Sequence, residues 1–536
     1  MLIFVPILLL LFGSITIAII YHVKSRVGLT WLVAAGSSLV AWLIMALMRL
    51  YLPTTVPLIN WEPEPLFNAS PFLMVDYISW PYAITLITIN IAFIFTDSAR
   101  SKTNINPMNW AGSMAITAIG LMALLAGNPL TMVLAWALVD IVELVYLLSV
   151  QKDNRHNHRI ILMYASRLLS LIMFTWATMV GWLEIGQFDI DNIPARSGVY
   201  FLIAAALRVG IIPLNLSFLN EPELKRGPRT LLRLAPIASS LSLLARMPAD
   251  VISIRPYWML PIQLLIGFTA LISALMWLLK EQELEARNSW YIALTSLALI
   301  CAINGLAPTS RAWGISLLLS GSLLFLFDPP IKRLRFLLIP GLIGLLALPF
   351  TPANSGWQGL IGSSFNFLSL VAVIAHTLLV SGYIKFMMSG QGSATGLESW
   401  SKISFPIGLI FIIQTQIAIG VIGWPGVFNS ENWWVGMISL GVTSILVLLA
   451  WRLRKSPINS SIKSRIEANQ NVQKILNTIN SVTNLEWLTR TISTLYRLAS
   501  NVILTSATII EGEGGILWAL VFLILLFSFL KLGGLQ

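Results

Sequence analysis

Four charged residues lie inside long apolar stretches of this sequence, where a charge is costly and marks a functional site by default. Asp140 and Glu143 are three residues apart in the stretch 134–148, a spacing that places both carboxylates on one face of a helix. Such a pair can hold a proton between its members, bind a cation or pair with a structural arginine. Arg167, near the middle of the next apolar stretch, is the candidate counter-charge for either carboxylate.

A fourth charge, Arg208, lies in the middle of the apolar stretch 199–219, five residues before Pro213. A proline at that point breaks a helix and frees backbone polar groups, which only a cavity or a neighbouring helix can satisfy. A charge beside a broken helix is a recurrent ion-site arrangement in transporters. We therefore predict that Arg208 and Pro213 belong to an ion site, with a purely structural role for the arginine as the alternative.

The elements that position these residues must be membrane helices. Of the 536 residues, 57% are hydrophobic and 11% are charged, whereas a soluble domain carries about 25% charged residues. This composition excludes a soluble enzyme and a disordered protein. The single cysteine, Cys301, cannot form an internal disulfide or supply the ligands of a typical iron–sulfur cluster. The sequence predicts an all-α, polytopic membrane protein.

Apolar runs long enough to span a bilayer, which takes about 20 helical residues, predict about 16 transmembrane helices. The predicted spans are 1–21, 30–50, 74–97, 110–127, 129–150, 160–183, 198–219, 231–249, 258–280, 289–306, 312–327, 336–350, 361–388, 403–424, 435–452 and 514–531. Lysine and arginine concentrate after odd-numbered spans, which is the positive-inside pattern. It predicts a multi-pass protein of the cell inner (plasma) membrane with both termini outside. It also accounts for the net charge of +11 without a nucleic-acid partner.

Residues 456–505 have a different pattern, with charged residues between apolar residues spaced three or four apart. This spacing predicts an amphipathic helix on the cytoplasmic face. The helix either lies among lipid headgroups or reaches laterally across neighbouring helices or subunits. The sequence contains no phosphate-binding glycine loop, zinc-binding His-Glu-x-x-His pair or nucleophile elbow, so we expect no catalytic residue, cofactor or metal site in this chain.

Five segments, taken in order, resemble one known family. They are Phe72-Leu-Met-Val-Asp76-Tyr-Ile-Ser79, Gly127-Asn-Pro-Leu through Trp136 to Ser149, Arg208 with Pro213-Leu-Asn215, Glu283 to Tyr291, and Leu348-Pro-Phe-Thr-Pro352 leading to Trp357. Together they resemble the antiporter-like subunits of respiratory complex I (the L, M and N chains of NADH:quinone oxidoreductase) and of Mrp-type cation/proton antiporters. The resemblance covers roughly residues 70–390.

The resemblance implies two inverted five-helix repeats, each with a broken helix. Their boundaries would be 110–249 and 258–388, with the breaks at Pro213 and Pro349. The other implied divisions are N-terminal helices with an external loop at 1–109, further helices at 403–452, the lateral helix at 456–505 and a terminal anchor at 514–531. It also implies other membrane subunits as partners, besides the lipid bilayer.

The sequence departs from this family along its central polar axis. Ala137 follows the tryptophan where the family has glutamate, Arg208 replaces a lysine, and Gly359 occupies the position of a second lysine. A buried lysine can lose its proton, whereas arginine effectively cannot.

Three hypotheses follow. In the first, the chain translocates protons or cations, with Asp140 and Glu143 as carriers and Arg208 as a fixed charge. In the second, it is a structural, non-pumping scaffold that has lost the relay lysines. In the third, it is a stand-alone solute carrier that binds an anion at Arg208. The chain carries no redox site, so any enzymatic role would be that of a membrane subunit in a translocase complex resembling NADH:quinone oxidoreductase.

Overall fold

A computed structural model of the protein describes residues 2–24, 27–58, 70–98, 106–150, 154–211, 228–251, 256–327, 332–361, 365–389, 399–423 and 433–455. The predicted lateral helix, the terminal anchor, Pro213 and Asn215 lie outside these residues. Within them, the α-helices are α1 (Phe4–Lys24), α2 (Val27–Leu47), α3 (Ser79–Asp97), α4 (Pro107–Leu124), α5 (Pro129–Val150), α6 (Asn154–Ile185), α7 (Ala195–Val209), α8 (Pro228–Leu244), α9 (Pro256–Leu279), α10 (Glu283–Ile303), α11 (Ala307–Leu326), α12 (Ile339–Leu345), α13 (Gln358–Ile361), α14 (Phe367–Ser389), α15 (Ser399–Ile422) and α16 (Trp433–Lys455).

The prediction of an all-α membrane protein is confirmed in its main features. Ten of the helices within the described residues are long and apolar enough to cross a membrane. The described strands are β1 (Thr54–Pro57) and β2 (Phe72–Val75), which pair antiparallel with Thr54 opposite Val75. The total of 16 spans and the division into repeats remain predictions.

The third predicted span, 74–97, begins five residues too early. Residues 72–75 form β2, and α3 begins at Ser79 because the Asp76 Oδ1 atom accepts a hydrogen bond from the Ser79 amide at 2.7 Å. Strand β2 is also bonded to the end of α4, because the carbonyl of Leu125 accepts a hydrogen bond from the Met74 amide at 2.7 Å. Local hydrogen bonding therefore sets a boundary that hydropathy does not reveal.

Two other predicted spans are interrupted. The predicted span 198–219 gives α7, which ends at Val209 because Gly210 adopts a left-handed conformation with φ of 77° and donates its amide to helix carbonyls. The predicted span 336–350 becomes a 3₁₀ helix, Lys332–Leu338, followed by the short helix α12.

The core lies around α3, α10 and α11, which are buried along almost their whole length. These helices face other helices instead of lipid, so they tolerate polar residues that bond across the interfaces. Thr88 of α3 contacts Thr415 of α15 at 2.9 Å, and Asn90 donates to Ser38 of α2 at 3.0 Å. Helices α5, α6, α7 and α8 pack beside this core in chain order, and this row of helices positions the predicted site.

Candidate functional site

Helices α5, α6 and α7 bring the four predicted charged residues into one ion-pair network. Arg208 donates from Nη1 and Nη2 to the two carboxylate oxygens of Asp140, both at 2.8 Å. Arg167 donates from Nη1 to Asp140 Oδ1 at 3.4 Å and contacts both oxygens of Glu143, with Nη2 lying 3.3 Å from Oε1. Asp140 is thus shared between two guanidinium groups.

Local sequence explains this convergence. Asp140 and Glu143 are one helical turn apart on α5, so both carboxylates point to the same neighbours. Close approach of α6 and α7 is secured by Ser170, whose Oγ donates to the carbonyl of Ala204 at 2.7 Å. Arg208 lies in the last turn of α7, where the helix dipole favours a cation.

Trp136, one turn before Asp140 on α5, supplies a second surface for Arg208. The guanidinium carbon lies 4.4 Å from the indole ring centroid, and Nη2 lies 3.5 Å from the Trp136 carbonyl oxygen. A cation over a desolvated indole ring is stabilised by about 2 kcal/mol. The tryptophan therefore helps to hold the arginine charge in a site closed to solvent.

The network is buried and electrically balanced. The four residues are between 1% and 3% exposed, and two cations face two anions. Removing an ion from water costs several kcal/mol, which is recovered only when the geometry is good and the remaining polar atoms are bonded. At this site, the buried atoms Arg167 Nε, Arg208 Nε and Trp136 Nε1 have no hydrogen-bond partner. The site therefore contains buried donors that its own carboxylates do not satisfy.

These features define what the site can do chemically. Arginine stays protonated, and each carboxylate is bonded to at least one guanidinium group. A proton or cation can therefore bind at Asp140 or Glu143 only by displacing an arginine contact. The network can store charge and exchange partners, but its arginines cannot relay a proton.

The second predicted break is separate from this network. Pro349 lies in a non-helical segment between α12 and a 3₁₀ helix at Asn354–Trp357. Gly359, where the resemblance implies a lysine, is buried in α13.

Two further arginines, Arg246 and Arg233, lie near the ends of predicted spans and are buried. Arg246 donates from Nη2 to Asp76 Oδ1 at 2.8 Å and also contacts Asp191 through Nη1. Arg233 is 2% exposed, and its Nη1 lies 3.4 Å from the Met163 sulfur. Hydropathy gives the depth of a residue along its span but not the direction in which its side chain points.

Asp76 is one of the two carboxylates that contact Arg246, and the sequence marks it only as part of the motif Phe72–Ser79. Burial raises the pKa of its carboxyl group, but the Arg246 charge and hydrogen bonds from Ser79 outweigh burial, so the pKa lies below its usual value. The spacing of Asp76 and Ser79 is the one local signal, because an aspartate three residues before a serine can cap a helix.

No family model and no curated protein matches the sequence. The fold is similar to those of subunits in three solved membrane complexes. In the Mrp complex from Dietzia sp. DQ12-45-1b, the match covers 100% of this chain and 63% of the other, with 11% identity and a TM-score of 0.71. In the membrane-bound sulfane sulfur reductase (MBS), an archaeal respiratory membrane complex, it covers 98% and 100%, with 15% identity and a TM-score of 0.67.

A chain of respiratory complex I from Thermus thermophilus matches 83% of this chain over 100% of its own length, with 13% identity and a TM-score of 0.60. The TM-scores show that the fold is shared, and at such low sequence identities the similarity shows nothing more. The resemblance inferred from the motifs is confirmed at that level, and this chain spans about 63% of the length of the Mrp-complex chain that it matches.

Proposed function

We propose that the chain is an antiporter-like membrane subunit of a complex-I-like or Mrp-like assembly, and that it translocates protons or cations along a polar path through the ion-pair network. The observation that carries this proposal is the network itself. Four buried charges from three helices, with unsatisfied donors beside them, are expensive to keep inside a membrane protein. This cost indicates that the four charges do more than join the helices, and moving charge is the role that we assign to them.

In this mechanism the carboxylates carry the ion and the arginines supply a fixed field. A proton or cation reaching Glu143 weakens its contact with Arg167. Arg167 Nη1 already lies 3.4 Å from Asp140 Oδ1, so a small movement transfers this guanidinium fully to Asp140. Arg208 then shifts toward Trp136, and the rearrangement passes an electrostatic signal along the membrane. A neighbouring subunit with its own buried charges would respond to it.

The wider architecture belongs to the same proposal. It comprises 16 spans in the plasma membrane, both termini outside, repeats at 110–249 and 258–388, and a lateral helix at 456–505 that contacts partner subunits. Electron transfer, if the assembly performs any, resides in those partners.

Proteoliposomes provide the test. The tagged chain would be purified with its native partner subunits and reconstituted with the pH dye pyranine inside the vesicles, and a valinomycin–potassium potential would drive uptake. We expect Asp140→Asn and Glu143→Gln each to reduce the initial rate of internal pH change at least about 10-fold per assembled complex, as expected for loss of a proton carrier. Arg208→Lys should raise the rate, since a buried lysine can relay a proton.

Arg196→Lys is the matched control, because Arg196 lies on the same helix but is exposed, and it should not change the rate. If Asp140→Asn and Glu143→Gln both assemble normally and keep the native rate, the network is not the path.

The scaffold hypothesis is the second candidate, and the closed pairing of every charge in the network favours it. Two arginines neutralise two carboxylates, which is what a structural clamp between α5, α6 and α7 requires. It predicts that Arg208→Ala lowers the amount of assembled complex while flux per complex stays unchanged. Flux that is absent from the native complex would support the scaffold and refute translocation.

A further inference from the structure

We infer that the helices α9–α14, here called the second half, form a sealed unit that conducts no ions, so that the polar path, which rests on the proposed function, is confined to α5–α7. A symmetric pair of repeats would be expected to conduct in both halves. Three independent features of α9–α14 indicate that the second half is closed.

The first feature is the absence of space at Gly359. A Cβ atom added there would lie 2.0 Å from Thr309 Oγ1, 2.7 Å from Cys301 Sγ and 2.8 Å from Cys301 Cβ. Asn304 donates its amide to the Gly359 carbonyl at 2.7 Å and fixes this backbone in place. The position where the resemblance implies a lysine therefore has no room even for a methyl group, and the helix α13 packs directly against α10 and α11.

The second feature is the way the break around α12 is filled. Carbonyl groups freed by a broken helix commonly line a water-filled cavity or bind an ion. Here side chains of neighbouring helices occupy them. The bonds are Ser316 Oγ to Gly344 O at 3.1 Å, Ser320 Oγ to Gly341 O at 2.7 Å, Gln416 Nε2 to Pro340 O at 2.6 Å, Tyr383 Oη to Leu338 O at 3.2 Å and His376 Nε2 to Leu345 O at 2.9 Å. These five carbonyl groups are therefore already engaged by side chains.

The third feature concerns His376, the histidine of α14. Its Nε2 donates to the Leu345 carbonyl, so in the neutral ring Nδ1 accepts from the Ser439 hydroxyl at 2.7 Å. Trp313 and Trp357 enclose the ring, with centroids 5.4 and 5.1 Å away. Both ring nitrogens are engaged and the faces are shielded, so the histidine is placed to join α12, α14 and α16 and not to relay protons.

Lys385, also on α14, is engaged as well. Its Nζ donates to the carbonyls of Leu278 and Lys280 at 2.8 and 2.6 Å, which caps the C-terminal end of α9. Beside it Phe386 packs on Trp277, with ring centroids 4.6 Å apart. Around α12 and α14 the second half is therefore closed by aromatic rings and hydrogen bonds, whereas helices α5–α7 bring four buried charges into one network.

The single cysteine of the chain provides a direct test, because Cys301 faces Gly359. Membranes that contain the native complex would be treated with the small water-soluble thiol reagent MTSEA, and modification would be followed by intact mass. We expect Cys301 to react roughly 100-fold more slowly than in the chain unfolded in SDS, because reaction requires local opening. The reference variant carries Ala137→Cys in a Cys301→Ser background and places the thiol one turn from Asp140.

The reference thiol should react at least about 10-fold faster than Cys301. Equal rates at the two positions, or a rapid reaction of Cys301, would overturn the sealed second half. A further measurement is ion flux per assembled complex in His376→Gln, which should stay within about 2-fold of the native rate; a 10-fold loss would overturn the inference. If the native complex shows no flux while Cys301 is protected, the proposed function fails and the sealed half stands.

Discussion

Replacing Arg208 by methionine should destabilise the fold by an amount set by the network geometry. The change removes two charged hydrogen bonds of 2.8 Å to Asp140 and the stacking on Trp136. Asp140 then keeps only Arg167, with Nη1 at 3.4 Å. Removing one partner of a buried ion pair costs about 3–5 kcal/mol. Arg196→Met, on the exposed side of the same helix, should change the free energy of unfolding by less than about 0.5 kcal/mol.

A double-mutant cycle separates the ion pair from the lost packing. Asp140→Leu alone leaves Arg208 without its main counter-charge and should also cost about 3–5 kcal/mol. The double variant removes both charges and leaves the neutral pair of Arg167 and Glu143. Its cost should fall short of the sum of the single costs by about 3 kcal/mol, at the upper end of measured coupling energies.

Cys301 makes the assay simple, because this buried thiol becomes reactive only when the chain unfolds. The purified protein in detergent would be titrated with SDS, and unfolding would be followed with a fluorogenic maleimide. Additive costs in the cycle would refute the tight pairing of Arg208 with Asp140. The same conclusion would follow if Arg208→Met were as mild as Arg196→Met.

Two further predictions concern other parts of the fold. Gly359→Ala should destabilise by about 1–3 kcal/mol, as overpacking does, because the new methyl would lie 2.0 Å from Thr309 Oγ1; Gly36→Ala, with open space around it, should be neutral or stabilising. Both are measured by the same thiol assay. In the folded protein the pKa of Asp76 is lowered. The ionised carboxylate therefore contributes fully to stability above the unfolded-state pKa of about 3.9. This contribution is lost as the pH falls through the lower pKa of the folded state. The stability difference between the native protein and Asp76→Asn should therefore shrink below about pH 4, and a difference independent of pH would contradict the ionised state of Asp76.

The sequence was sufficient to select Asp140, Glu143, Arg167 and Arg208, because a charge in an apolar stretch stands out against its surroundings. It was insufficient for Arg246, whose partner Asp76 is 170 residues away. An arginine near the end of a span can extend to the interface or turn inward, and hydropathy is the same in both cases. In the structure, the segment that follows α8 lies beside the start of α3, where Arg246 bonds to Asp76.

The short helices of the second half were also beyond sequence reasoning. A hydropathy profile treats residues 336–350 as one apolar run, although the helix is 3₁₀ at first and α12 ends at Leu345. The break is tolerated because serine, glutamine, tyrosine and histidine side chains from three other helices bond to the exposed carbonyls. Such partners are distant in sequence and leave no local pattern.

The identity of the cation at position 208 determines how charge can move through the network. With a lysine, a proton could pass from the cation to Asp140, and the pair could become neutral without any ion entering. With arginine both charges persist, so an arriving proton or cation leaves the four residues with one excess positive charge. In a buried site that charge is costly and must be offset by the Trp136 ring, by water or by a charge shift in a neighbouring subunit. The ring and the water act only locally, so efficient translocation through this chain would depend on its partners more strongly than if residue 208 were a lysine.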